Sequence, residues 1–168
     1  MAKLDVEVIG QAAVIPFRVA ASATRGYVGE PMMVVPSYTS GVSDVNTIVV
    51  VTDDKPVIGT DQFIGVLAKD MEVDSAGTVV AHRTNVAVPY ANTTRLRSKV
   101  TTASTADTES EAIGLLFDLY VFDLISSVYT WKPAAADTAG FSARWYNVTN
   151  SKLDCVADVR AMSRVDIS

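Results

Sequence analysis

What most constrains this chain is a two-residue rhythm of apolar and polar side chains, which in an extended strand sends neighbours to opposite faces. Leu4, Val6 and Val8 alternate with Asp5 and Glu7. Thr47-Ile48-Val49-Val50-Val51-Thr52 is a β-branched run followed by the turn-like Asp53-Asp54-Lys55-Pro56, and Val86 and Val88 keep the pattern up to Pro89. Near the end, Leu153, Cys155, Ala157 and Val159 fall on one face and Asp154, Asp158 and Arg160 on the other. Gly, Pro, Asn and Asp punctuate the chain at intervals of roughly 8–12 residues, so the expected fold is all-β, a sandwich or barrel of short strands.

One stretch competes with this rhythm. Thr108-Glu109-Ser110-Glu111 has the form of a capping box that would start a helix over residues 112–125. Gly114 weakens such a helix, Asp118 and Asp123 split its apolar surface, and Leu119-Tyr120-Val121-Phe122 is strand-like, so strands are the favoured reading. The small, polar run at residues 101–111 reads as a long loop or linker. It divides an N-terminal β domain (1–100) from a C-terminal β segment (112–168) that would form a smaller subdomain packing on the first part or on a neighbouring subunit. No internal repeat is evident.

With 168 residues, 49% of them apolar and 20% charged, the chain can build a core without metal or disulfide staples. Its formal charge is −5 and its 14 basic residues are dispersed, which argues against direct nucleic-acid binding. Cys155 is the only cysteine, so no intramolecular disulfide can form. Acids interrupt the first residues where a signal peptide needs an apolar stretch, and no window is long and apolar enough to span a membrane. The expectation is synthesis and folding in a cytoplasm.

Candidate chemistry is sparse. His82 is the only histidine, no nucleophile elbow accompanies it, and Cys155 lies on an alternating strand as a small core side chain. Asp53-Asp54 with Asp61, or Asp70, Glu72 and Asp74, could offer oxygen ligands to calcium, but neither set has a calcium-loop spacing, and a solvated acidic edge is the plainer reading. Gly26-Tyr27-Val28-Gly29 lacks the third glycine of a dinucleotide fingerprint and reads as a turn entering a strand. No cofactor, metal or catalytic residue is expected, and the chain is read as a binding or structural protein, not an enzyme.

Two features point to binding. At strand spacing Arg95, Arg97 and Lys99 share one face, suited either to gripping an acidic partner or to protecting an edge strand from aggregation. Trp131 and Trp145 are candidate aromatic anchors, with the core as the default place for each.

Several segments, taken in order, carry a family likeness: Arg25-Gly26-Tyr27-Val28-Gly29-Glu30-Pro31-Met32-Met33-Val34-Val35, then Val51-Thr52-Asp53-Asp54, then Phe63-Ile64-Gly65-Val66-Leu67-Ala68-Lys69-Asp70, Val86-Ala87-Val88-Pro89, and Phe122-Asp123-Leu124-Ile125-Ser126-Ser127-Val128-Tyr129-Thr130 before the strands around Trp145 and Val156. This order resembles capsid decoration (cement) proteins of tailed double-stranded DNA bacteriophages. The resemblance implies a β-rich homotrimer on the outer surface of the virion, bridging subunits of the major capsid protein and stabilising the shell. The runner-up is a carbohydrate-binding β module of a phage tail or receptor-binding component, which requires Trp131 or Trp145 exposed on a shallow groove.

Overall fold

Strand pairing in the computed structural model sorts the chain into two barrels. The structure describes residues 6–19, 25–34, 47–52, 55–57, 61–80, 83–101, 109–116, 118–125, 128–136 and 138–162; His82, Asp53 and Asp54 lie outside them. Strands β2 (Ala12–Val19), β3 (Pro31–Val34), β4 (Thr47–Val50), β5 (Phe63–Leu67) and β6 (Arg83–Pro89) close in the order β2-β4-β3-β5-β6. A second sheet runs β1 (Glu7–Ile9), β7 (Arg95–Val100), β11 (Lys152–Ala157), β10 (Phe141–Asn147), β8 (Leu119–Ile125), β9 (Val128–Pro133), and β9 pairs back onto β7. The fold is all-β, as the alternation requires, with closure removing most sheet edges.

The division differs from the expected boundary at residues 101–111. β1 and β7 both fall within residues 1–100, yet both pair in the second sheet, and the change of barrel occurs at the turn of residues 90–94. Residues 102–108 lie outside the described residues; at the other end of that run, α1 (Glu109–Leu115) is helical. Of the helix weighed as the minor alternative over residues 112–125, only 112–115 are helical, since α1 begins within the supposed capping box, and the chain becomes a strand at Leu119, where β-branched and aromatic residues take over. β7 is also not an edge strand: β1 covers it at Arg95–Arg97 and β9 at Lys99–Val100, which removes the edge-protection reading of its cations.

The two barrels have the same connectivity, a repeat the sequence conceals. Numbered from its own first strand, each closes in the order 1-3-2-4-5, and each is sealed by a parallel pair of first and third strands. The registers match as well. Arg18↔Thr47, Val34↔Ile48, Pro31↔Val66, Leu67↔Val86 and Arg18↔Arg83 in the first barrel correspond to Lys99↔Thr130, Phe122↔Trp131, Leu119↔Ser142, Ala143↔Cys155 and Lys99↔Lys152 in the second. Identical steps along every strand give the two barrels the same stagger. The bulges differ, with Ile64 the extra residue in β5 and Arg144 in β10.

Of two hydrophobic clusters among the described residues, one lies within the first barrel and the other spans both. Phe63 of β5 enters the second barrel's aromatic cluster, 5.0 Å from Phe141 and 6.0 Å from Phe122 between ring centroids, while Phe122 stacks on Trp131 at 4.5 Å. Such aromatic contacts contribute about 0.5–1.5 kcal/mol each beyond the area they bury. Polar ties cross the same seam: the Tyr129 hydroxyl donates to the Val51 carbonyl at 2.6 Å and the Phe63 N–H to the Ala161 carbonyl at 2.8 Å. The C-terminal segment thus packs on the first part of its own chain.

Candidate functional site

The outer face of the second barrel carries the densest polar arrangement. Cross-strand register lines up Glu7 of β1, Arg97 of β7, Asp154 of β11 and Trp145 of β10 in one row. Arg97 donates from Nε to Asp154 Oδ1 at 2.6 Å and from Nη2 to Oδ2 at 3.1 Å, and Arg95 adds an ion pair to Oδ2 at 3.1 Å. The Arg97 guanidinium also lies 5.1 Å from the Trp145 ring centroid, in cation–π range. Asp154 is fully buried beneath these side chains, although it points to the outer face, because two arginine stems roof it over. The hydrogen bonds that Arg97 donates to Asp154 raise the Arg97 pKa, with burial pulling the other way.

The next outward position pairs Lys99 directly with Lys152. Lys152 is bound to Glu7, whereas Lys99 has no ion pair among the described residues. Beside Lys99, on the strand that seals the barrel, the buried Thr130 hydroxyl has no hydrogen-bond partner among the described residues. Lys99 also stands at a cavity of about 560 Å³ whose walls include Val6, Val28, Val128 and Tyr129.

The three cations expected to share a face do share it, but two of them are committed. Arg95 and Arg97 hold Asp154, leaving Lys99 as the cation open to a partner. Trp131 takes the core place that is the default for it, fully buried with its Nε1–H donating to the Leu153 carbonyl at 3.0 Å, which removes it as an exposed anchor. Trp145 remains 40% exposed, beside a groove lined by Ile113, Leu116, Tyr146 and Val148. Asp154, Glu7 and Lys152, which complete the face, carry no local signal, since they meet Arg95 and Arg97 only through long-range strand pairing.

The remaining candidates are occupied with structure. Asp70 Oδ1 accepts from the Val28 N–H, Glu72 pairs with Lys69, and Asp74 Oδ1 accepts from the Ala76 and Thr78 N–H groups in a turn. Asp61 is buried against Lys55 at 3.0 Å and the Val57 N–H at 2.9 Å. Among the described residues no group of three or more His, Cys, Asp or Glu side chains could hold a metal ion. Cys155 is buried in the core, where desolvation pushes its thiol well above the ordinary range, so it is poorly suited to nucleophilic work.

Fold and site together define an all-β protein of two fused five-stranded barrels with a mixed cationic and aromatic face. No protein-family model matches the chain, and no curated protein or solved structure matches it either.

Proposed function

We propose that this protein is a structural virion component that docks on the outer surface of a tailed-phage capsid and stabilises the shell by bridging major capsid protein subunits. It works by binding, without turnover, as a homotrimer. The observation that carries the reading is the outer face of the second barrel. In a chain of net charge −5, four cations (Arg95, Arg97, Lys99 and Lys152) gather there around two carboxylates among the described residues, Glu7 and Asp154, beside the exposed Trp145. Such a face suits an acidic protein surface with an apolar spot. The order of turn and strand segments that resembles cement proteins supports the same reading, and the hydrophobic cluster that spans both barrels suits a rigid bridging element.

The test is shell stability. Purified protein added to shells of the major capsid protein encoded in the same genome should raise the temperature at which they come apart, with the gain saturating. An unchanged disruption temperature at saturating protein overturns the proposal.

A carbohydrate-binding module is the second reading, favoured by Trp145 at 40% exposure beside its groove. Saturable binding on a glycan array, lost in Trp145→Ala, would establish it in place of the first.

A further inference from the structure

Because the two barrels share one register, positions of one have counterparts in the other, and most counterparts differ. Val34 and Ile48 answer to Phe122 and Trp131, Pro31 to Leu119, and Val66 to Ser142. One row keeps its polar chemistry. In the first barrel Arg83 of β6, Arg18 of β2 and Thr47 of β4 stand side by side; in the second, Lys152 of β11, Lys99 of β7 and Thr130 of β9 take the same three places. Cation, cation and threonine recur in that order in barrels whose sequences otherwise conceal the repeat.

Stability does not account for the row. Like charges directly opposite each other on neighbouring antiparallel strands are destabilising. Both pairs also take the arrangement that brings side chains closest. The Val100 N–H donates to the Ser151 carbonyl at 3.2 Å, so by alternation Lys99↔Lys152 is a non-hydrogen-bonded pair. Pro16, which has no N–H, stands opposite Asn85, whose carbonyl accepts from the Ala68 N–H. That pair is non-hydrogen-bonded and so, two residues on, is Arg18↔Arg83. Nor do these cations guard a sheet edge: Arg18 is paired by β6 and β4, and Lys99 by β11 and β9. Arg18 and Lys99 are both exposed, and neither has an ion pair among the described residues.

We infer that each barrel carries one seat for a carboxylate-bearing segment of a partner protein, at Arg18 and Arg83 in the first and at Lys99 and Lys152 in the second, so that one chain holds two copies of the same acidic element. Carboxylates placed at the paired cations offset their repulsion through charge-assisted hydrogen bonds. The second seat shows the chemistry it accepts: the Glu7 carboxylate binds Lys152, which leaves Lys99 and the unpartnered Thr130 hydroxyl for an incoming acid. The occupant is an acidic protein segment and not nucleic acid, since each seat is a pair of cations, not a stripe, in a chain of net charge −5. On the proposed reading the two copies belong to neighbouring subunits of the shell, which is how one chain bridges them. The inference rests on that reading for the partner's identity but not for the seats.

Two measurements test it. The first follows the backbone amide resonances of the full-length protein while capped hexaglutamate is added at low salt. Amides of both rows should shift saturably. Lys99→Gln should abolish the shifts in the second barrel's row, and Arg18→Gln those in the first barrel's. Each variant should melt at or above the wild-type temperature, because it relieves a like-charge contact. The inference is overturned by no saturable shift, by shifts at one row alone, by shifts that survive these substitutions, or by a lower melting temperature in both variants. A DNA duplex that shifts both rows at lower concentration than hexaglutamate overturns the acidic protein as occupant. The second measurement compares wild type with the two variants on shells. Variants that still bind shells but no longer raise their disruption temperature support two seats on neighbouring subunits. Variants that stabilise shells as well as wild type overturn that placement while leaving the capsid reading intact. If wild type ignores shells, the capsid reading fails and the resonance shifts alone decide the seats.

Discussion

Arg97 grips the buried carboxylate of Asp154 through two hydrogen bonds, at 2.6 Å and 3.1 Å, across neighbouring strands β7 and β11. A carboxylate with no solvent access relies on such partners, so the pair fixes the outer face of the second barrel. Arg97→Ala should lower stability by about 2–3 kcal/mol, because hydrogen bonds to charged groups are strong and Asp154 keeps only Arg95. In urea denaturation, Arg97→Ala/Asp154→Asn should cost less than the sum of the single changes. Strict additivity would show that the pair is uncoupled.

The shared core predicts one unfolding transition for both barrels. Phe63 contacts both Phe122 and Phe141 from the other barrel, so Phe63→Ala should cost about 3–5 kcal/mol and shift the whole transition. Calorimetry resolving two separate transitions in the wild type would contradict this.

Glycine positions divide sharply. A Cβ on Gly65 would sit 2.2 Å from the Ala87 carbonyl oxygen, a backbone atom that cannot swing away, whereas Gly114 in α1 has open space around it. Gly65→Ala should destabilise by at least about 2 kcal/mol. Gly114→Ala should stabilise by about 0.5–1 kcal/mol through helix propensity. Chemical denaturation of the two variants reads both signs.

Glu30 supplies a pH signature. Burial raises its pKa, Asp70 adds to the rise, and the hydrogen bond from the Tyr27 N–H opposes it. A carboxyl with a raised folded-state pKa favours the fold in its protonated form. Its contribution is complete below the unfolded value of about 4.3 and is lost as pH rises through the folded value. Glu30→Gln, which keeps an acceptor for Tyr27, should therefore be more stable than wild type at pH 7, with the difference fading toward pH 4. A constant difference across that range would assign the effect to something other than ionisation.

The alternation of Val6 with Glu7 and of Leu153 with Asp154 made the strands legible, because period two is a local property. The doubling of the barrel was not legible, since a barrel asks only for apolar residues facing inward: Val34 and Ile48 in one meet the requirement that Phe122 and Trp131 meet in the other. Asp154 was readable as outward-facing but not as buried, because the arginines that cover it lie 57 residues or more away in sequence. The same limit hid the assignment of β7 to the second barrel, which the polar run after it obscured. Trp131 and Trp145 are alike in the sequence; Trp145 even shares the parity of the buried Phe141 and Ala143, and only the bulge at Arg144 turns it outward and leaves it 40% exposed.

The most direct test of the account is co-sedimentation of the purified protein with shells of the major capsid protein encoded in the same genome. The protein should enter the shell pellet saturably, with affinity falling as salt is raised and falling further in Lys99→Glu. Protein that stays in the supernatant at every concentration, at low salt as well as high, would contradict it.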